Sequence, residues 1–157
     1  GEDGGFDYMK GLHANINQYT KSGSAPIKAA GRGETTIGIV FMHDAVKQAV
    51  AGFPVKVVAP AEGTGYEIGS MSIIDGARNM DEAKIFYDWA LSADAQNLAL
   101  QVNAFQVPSN MGAQTSDSAP DMSSIKLIDY DFKTYGSSAT RKRLLKKWDD
   151  EVSVLPQ

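Results

Sequence analysis

Two short apolar runs, Thr36–Phe41 and Val55–Ala59, most constrain what this chain can fold into. Each has the length and the β-branched content of a buried strand. Between them, Ala45–Ala51 has helical spacing and stops at Gly52. Strand, helix and strand in that order predict an α/β fold. In open α/β sheets, ligand-binding groups collect at the carboxyl ends of strands. Here those ends carry His43-Asp44 and the glycine-rich segment Pro60–Gly69, which includes Glu67. Upstream, Ser22-Gly23-Ser24 precedes a short helix over Ala25–Ala30, with Ser24 suited to the N-cap and Pro26 to the first turn. Such a helix start can hold an anion, or the loop can be a cap and nothing more. Asp44 reads equally as a ligand group and as the N-cap of the next helix. Glu67 sits either on the exposed face of a strand or in a cleft. The stretch Ser22–Glu67 thus reads as about half the cleft of a solute-binding module. Its candidate contacts are Ser22, Gly23, Ser24, His43, Asp44 and Glu67.

Composition narrows the classes. The chain has 157 residues, 43% hydrophobic and 22% charged, which predicts one globular domain with a core of ordinary size. A net charge of -4 gives no general attraction to nucleic acid or anionic membrane, so no nucleic-acid partner is expected. With no cysteine, disulfides, thiol nucleophiles and cysteine metal sites are excluded. No apolar run approaches the roughly 20 residues that span a bilayer. The chain opens on Gly1-Glu2-Asp3-Gly4-Gly5, without an initiator methionine, which suggests a processed chain or a piece of a longer one.

The remaining segments are mostly helical. Phe6–Tyr19 has apolar residues at three- and four-residue steps, with His13 packed near that face. Met80–Val102 is the clearest helical region, capped by Asn79 and restarting at Ser92-Ala93-Asp94. Its aromatic residues Phe86, Tyr87 and Trp89 read as core. Thr140–Val152 is a charged amphipathic helix whose basic residues read as a solvated face. No Walker loop, dinucleotide fingerprint or nucleophile elbow is present. A hydrolase would have to use His43 as base with Asp44 or Glu67 as partner. Adjacent His43 and Asp44 suit one tetrahedral ion poorly, so no metal and no cofactor is expected.

Several segments together resemble the extracellular solute-binding proteins of bacterial ABC importers, more narrowly the ferric-ion, polyamine, thiamine and phosphonate group. They are Gly33-Glu34-x-x-Ile37-Gly38-Ile39, Gly52-x-Pro54-Val55, Pro60-x-Glu62-Gly63 and Ile73-Ile74-x-Gly76-Ala77-x-Asn79. Ala83-Lys84-x-Phe86-x-Asp88-Trp89, Phe105-Gln106-Val107-Pro108-Ser109-Asn110 and Ile125–Asp131 continue the match. The resemblance implies part of a two-lobed, type II periplasmic-binding-protein fold, of which this chain would be the carboxyl-terminal half. Residues 1–60 would belong to the second lobe, 61–110 would cross to the first, and 111–157 would return. Ferric-binding members carry adjacent tyrosines after the strand equivalent to Thr36–Phe41, where this chain has Met42-His43-Asp44-Ala45. The His-Asp pair with Glu67 resembles instead the branch that binds sugar phosphates. The expectation is a periplasmic, non-enzymatic component that captures a small anionic solute and delivers it to an inner-membrane ABC permease. A ferric carrier with other ligands, a His43 hydrolase and a simple interaction domain are the alternatives. Alone, the chain is expected to bind weakly or not at all, and to associate with itself.

Overall fold

The structure, a computed structural model, describes residues 1–157. Seven α-helices follow one another: α1 (Glu2–His13), α2 (Ala25–Gly31), α3 (Met42–Val50), α4 (Met80–Ala90), α5 (Ala93–Gln101), α6 (Phe132–Tyr135) and α7 (Ser138–Glu151). A single 3-10 turn covers Met122–Ser124. The chain divides into two units, one formed by Gly1–Lys21 with Ile128–Gln157, the other by Ser22–Leu127. The lobe assignments 1–60, 61–110 and 111–157 concern a longer protein and ask a different question from this division.

The α/β expectation is not met. Neither Thr36–Phe41 nor Val55–Ala59 forms a strand; the backbone pairing outside helices comes down to one isolated parallel bridge, Thr64 with Leu127. There the Thr64 N–H donates to the Lys126 carbonyl at 3.0 Å. A strand exists only as one side of a hydrogen-bonded ladder. The β-branched runs have the propensity but find no ladder partner among these residues. Alternate side chains in them stay exposed, with Ile37 at 76%, Ile39 at 70% and Val58 at 67%.

In the first unit, α1 and α7 supply the buried Phe6, His13 and Val152, the last at the C-cap of α7. Helix α1 begins earlier than its apolar spacing predicts, and ends at His13 rather than Tyr19. Its end is secured by the Asn15 side-chain amide, which donates to the Gly11 carbonyl at 3.0 Å. The basic face of α7 is not simply solvated. Arg143 makes a two-pronged pair with Glu2 at 2.7 and 2.8 Å, and Lys147 reaches Asp3 at 2.8 Å. Lys147 also lies over the Phe6 ring, 4.5 Å from its centre. Lys10 of α1 closes the set on Glu151 at 3.0 Å.

The network gives this unit a pH dependence of definite sign. Hydrogen bonding to the Arg143 guanidinium holds the Glu2 carboxyl down to about 2, and Lys147 likewise lowers Asp3. A depressed folded-state pKa adds stability above the unfolded value, near 4.3 for Glu, and loses it as pH falls toward the folded value. Melting temperature should therefore drop between about pH 4.3 and pH 2 in the native chain. Arg143→Met should flatten that slope; an unchanged slope in the variant, read by calorimetry, would remove the network from the account.

In the second unit, α2 packs on α3 and α4 on α5. Its buried apolar residues are Ile27, Ala45, Val46 and Phe105, with Gly31 tight against Phe53. The break between α4 and α5 falls where the sequence places it, and Ser92 Oγ accepts from the Ala95 N–H at 3.2 Å. The aromatic stripe of α4 is not core: Phe86 is 59% exposed and Trp89 50% exposed. Periodicity tells which face of a helix is apolar, not whether another element covers it. The core is correspondingly thinner than the length alone predicts.

Candidate functional site

The second unit carries an open cleft of about 1530 Å³, larger than the roughly 300–1,000 Å³ of an enclosed small-molecule pocket. Its wall is built from Thr36–His43, from the Val55–Val58 and Thr64–Gly69 segments, and from α5 with the loop that follows it. Most of this wall is aliphatic, so its few polar side chains decide what a bound molecule could be recognised by.

Three features fix the floor near His43. Phe41 is the N-cap of α3, with extended backbone (φ -62°, ψ 137°), so Met42 and His43 open the helix at the rim. The His43 ring stacks on Phe41, centroids 5.6 Å apart and planes 14° apart. Gly38 lies flat against the start of α2: a Cβ there would come within 2.8 Å of the Pro26 carbonyl oxygen. The absence of a side chain at Gly38 therefore lets the Thr36–Phe41 run lie against α2.

His43 and Glu67 both line this cleft. Asp44 does not, but its Oδ2 lies 3.8 Å from His43 Nε2, with the two side chains 24% and 30% exposed. That distance is too long for a hydrogen bond; it becomes an ion pair when the imidazole is protonated. Asp44 sits inside the first turn of α3, not at its N-cap, where the helix dipole favours its charge. Glu67 is exposed in the coil after the glycine-rich turn. Ser22, Gly23 and Ser24 are not on the wall. Gly23 lies near the back of Phe41, where an added Cβ would be 3.9 Å from the ring. Ser24 occupies the N-cap of α2, but its hydroxyl makes no capping bond.

Sequence reasoning gave no role to the polar residues of α5 and its following loop. Gln96, Gln106, Ser109 and Gln114 all line the cleft. A readable signal was present: Gln96 interrupts the small apolar positions Ala95 and Ala99 on the inward face of α5.

A smaller hollow of about 580 Å³ lies in the first unit, beside His13, Tyr19 and Trp148. The polar groups of His13 and Tyr19 are already used. His13 Nε2 lies 3.0 Å from the Leu155 carbonyl, which can only accept, so Nε2 carries the proton of the neutral ring. Nδ1 then accepts from the Tyr19 hydroxyl at 3.0 Å. The ring is 3% exposed and stacks on Tyr19. His13 is a satisfied packing residue. No three His, Asp or Glu side chains of the chain come together in a group fit to hold a metal ion.

Comparison with known proteins places these features. The family model for the bacterial extracellular solute-binding protein family matches residues 1–134. An uncharacterized protein of Haemophilus influenzae (strain ATCC 51907 / DSM 11121 / KW20 / Rd) is 48% identical over 155 residues, 98% of this chain and 45% of that protein. Among solved structures, the periplasmic binding protein AfuA from Actinobacillus pleuropneumoniae, with exogenous fructose-6-phosphate bound, superposes with a TM-score of 0.92 at 52% identity. That match covers 99% of this chain and 49% of AfuA. The periplasmic binding protein P5PA matches with a TM-score of 0.88 at 40% identity, over 98% of this chain and 49% of its own. The chain spans about half the length of the relatives it matches. AfuA and P5PA are periplasmic binding proteins. The chain belongs to the bacterial extracellular solute-binding protein family.

Proposed function

We propose that the chain is a solute-binding component of an ABC importer, working in the periplasm, and that it takes a small anionic solute of the sugar-phosphate class to a membrane permease. The observation that carries this is the chemistry of the cleft: an imidazole braced on Phe41, with a carboxylate at 3.8 Å from it and a second carboxylate, Glu67, on the same wall. Imidazole and carboxylate suit the hydroxyls of a sugar, the former as donor or acceptor and the latter as acceptor. Asp44 stands behind His43 and pairs with it when the imidazole is protonated. The Ser22-Gly23-Ser24 loop is off the cleft wall and takes no part in this reading. The likeness to AfuA, whose structure holds fructose-6-phosphate, supports the same solute class.

Nothing in the site favours bond-making chemistry over binding, and His43 is read as a ligand contact, not a base. A ferric reading has no support: the turn after Thr36–Phe41 carries no tyrosine pair, and no third His, Asp or Glu gathers beside His43 and Asp44. The exposed runs around Ile37, Ile39 and Val58 leave the chain prone to self-association, so the test belongs at low protein concentration.

The test is a thermal shift of the full-length protein against fructose-6-phosphate, inorganic phosphate and ferric citrate. Saturation at a hundred times Kd stabilises a folded state by about 2.7 kcal/mol, which is easily read. Fructose-6-phosphate should raise the melting temperature and ferric citrate should not. The reading is lost if no sugar phosphate moves the transition while the pure chain turns over a phosphoester and His43→Ala abolishes that turnover.

A further inference from the structure

We propose that Gln96 and Asn110 form an amide clip that fixes the loop after α5 and presents the Ser109 hydroxyl to the cleft as a hydrogen-bond donor. The proposal deepens the sugar-phosphate reading above and rests on it for the ligand, though not for the clip.

Each orientation follows from a group with only one possible role. The Asn110 backbone N–H can only donate, and it meets Gln96 Oε1 at 2.9 Å. That fixes which end of the Gln96 amide faces the loop, and leaves Nε2 toward Ser109 Oγ, also at 2.9 Å. Nε2 can only donate, so Ser109 Oγ must accept there, and its own proton has to point elsewhere. No protein acceptor takes that proton, and Ser109 lines the cleft.

The Asn110 side chain is pinned by the same logic. The Gly112 N–H donates to its Oδ1 at 2.9 Å, so Nδ2 donates to the Leu91 carbonyl at 2.8 Å, at the end of α4. Further along, the Gln114 N–H donates to Asn97 Oδ1 at 2.7 Å. Residues 109–114 are thus tied to α5 and to the C-cap of α4 by side-chain amides, with no ladder involved. A hydroxyl held this way is a donor of fixed direction, suited to a hydroxyl or phosphate oxygen. It complements Glu67, which can only accept when ionised.

Three variants separate holding the loop from aiming the proton. Ser109→Ala should weaken fructose-6-phosphate, titrated by calorimetry, about fivefold, the value of one uncharged hydrogen bond. Gln96→Leu removes both contacts, so it should give a similar loss and speed hydrogen exchange at the Asn110 amide. Gln96→Glu keeps an acceptor for the Asn110 N–H but cannot donate to Ser109. It draws the hydroxyl proton to the new carboxylate, away from the cleft. It should leave Asn110 exchange slow and still weaken binding, and the loss should be smaller when Ser109→Ala is already present.

Equal losses from Gln96→Glu in both backgrounds would show a plain charge effect and overturn the aimed donor. Unchanged Asn110 exchange in Gln96→Leu would overturn the clip. Failure of the parent reading looks different: the native full-length protein itself gives no heat with fructose-6-phosphate. The donor role then falls with that reading, while fast Asn110 exchange in Gln96→Leu still upholds the clip.

Discussion

Gly38→Ala is expected to lower the melting temperature by several degrees and to weaken fructose-6-phosphate at least tenfold. The added Cβ would stand 2.8 Å from the Pro26 carbonyl oxygen and 2.9 Å from its carbon. Both are backbone atoms at the start of α2, so no side chain can swing aside. Overpacking of this kind costs about 1–3 kcal/mol. In a chain of this length, that corresponds to a shift of roughly 3–10 °C. Relief comes by moving the Thr36–Phe41 run off α2, which tilts Phe41 and the His43 ring stacked on it. Stability and affinity should therefore fall together. Gly69→Ala is the matched control: Gly69 is also on the cleft wall, but a Cβ there meets nothing within 4 Å. It should stay within about 0.5 kcal/mol of the native chain. Calorimetry of both variants decides the matter, and a Gly38→Ala transition coincident with the control would show that the close approach to Pro26 is unimportant.

Glu67→Ala carries the second large effect. A hydrogen bond that involves a charged group contributes about 1.5–3 kcal/mol. Loss of one between Glu67 and a sugar hydroxyl should weaken fructose-6-phosphate roughly ten- to a hundredfold. Inorganic phosphate presents no sugar hydroxyl, and removing a nearby carboxylate does not harm an anion, so its affinity should hold or rise slightly. Parallel titrations with the two compounds separate these outcomes. Equal losses for both would strip Glu67 of its hydroxyl-reading role and leave it a general electrostatic one.

What could be read from the residues, and what could not, divides by the range of the interaction. The α4–α5 break was legible because Ser92 caps α5 through the Ala95 N–H, a bond that spans three residues. The start of α2 was legible for the same reason, since Pro26 suits a first turn whatever surrounds it. The strands were misread because β-branched residues at Thr36–Phe41 report a preference, and pairing needs a neighbour that no local pattern supplies. His13 was recognised as a packed residue, but its bond to the Leu155 carbonyl, 142 positions away, was beyond any spacing argument. Of the cleft's lining residues, His43 and Glu67 were singled out from the sequence, whereas Lys56 and the amides were not. His43 and Glu67 stand out in an apolar stretch, whereas Gln96 and Ser109 look like ordinary surface residues until α5 and its loop are brought together. The acid–base lattice between α1 and α7 was missed because a run such as Arg141–Lys147 reads as hydrated until its partners Glu2 and Asp3 are seen.

The chain's two tryptophans, Trp89 and Trp148, fall one in each unit. Trp148 stands edge-on to both Tyr19 and His13, at ring separations of 5.4 and 6.2 Å. Trp89 is half exposed on α4 beside Phe86, 5.5 Å away. The molecule therefore comes with a separate built-in optical reporter for each unit. Emission from a Trp89→Phe variant would follow only the α1–α7 half during denaturation, and emission from a Trp148→Phe variant only the half that bears the cleft. Whether the halves come apart in one step or two can thus be watched by fluorescence, without attaching a dye.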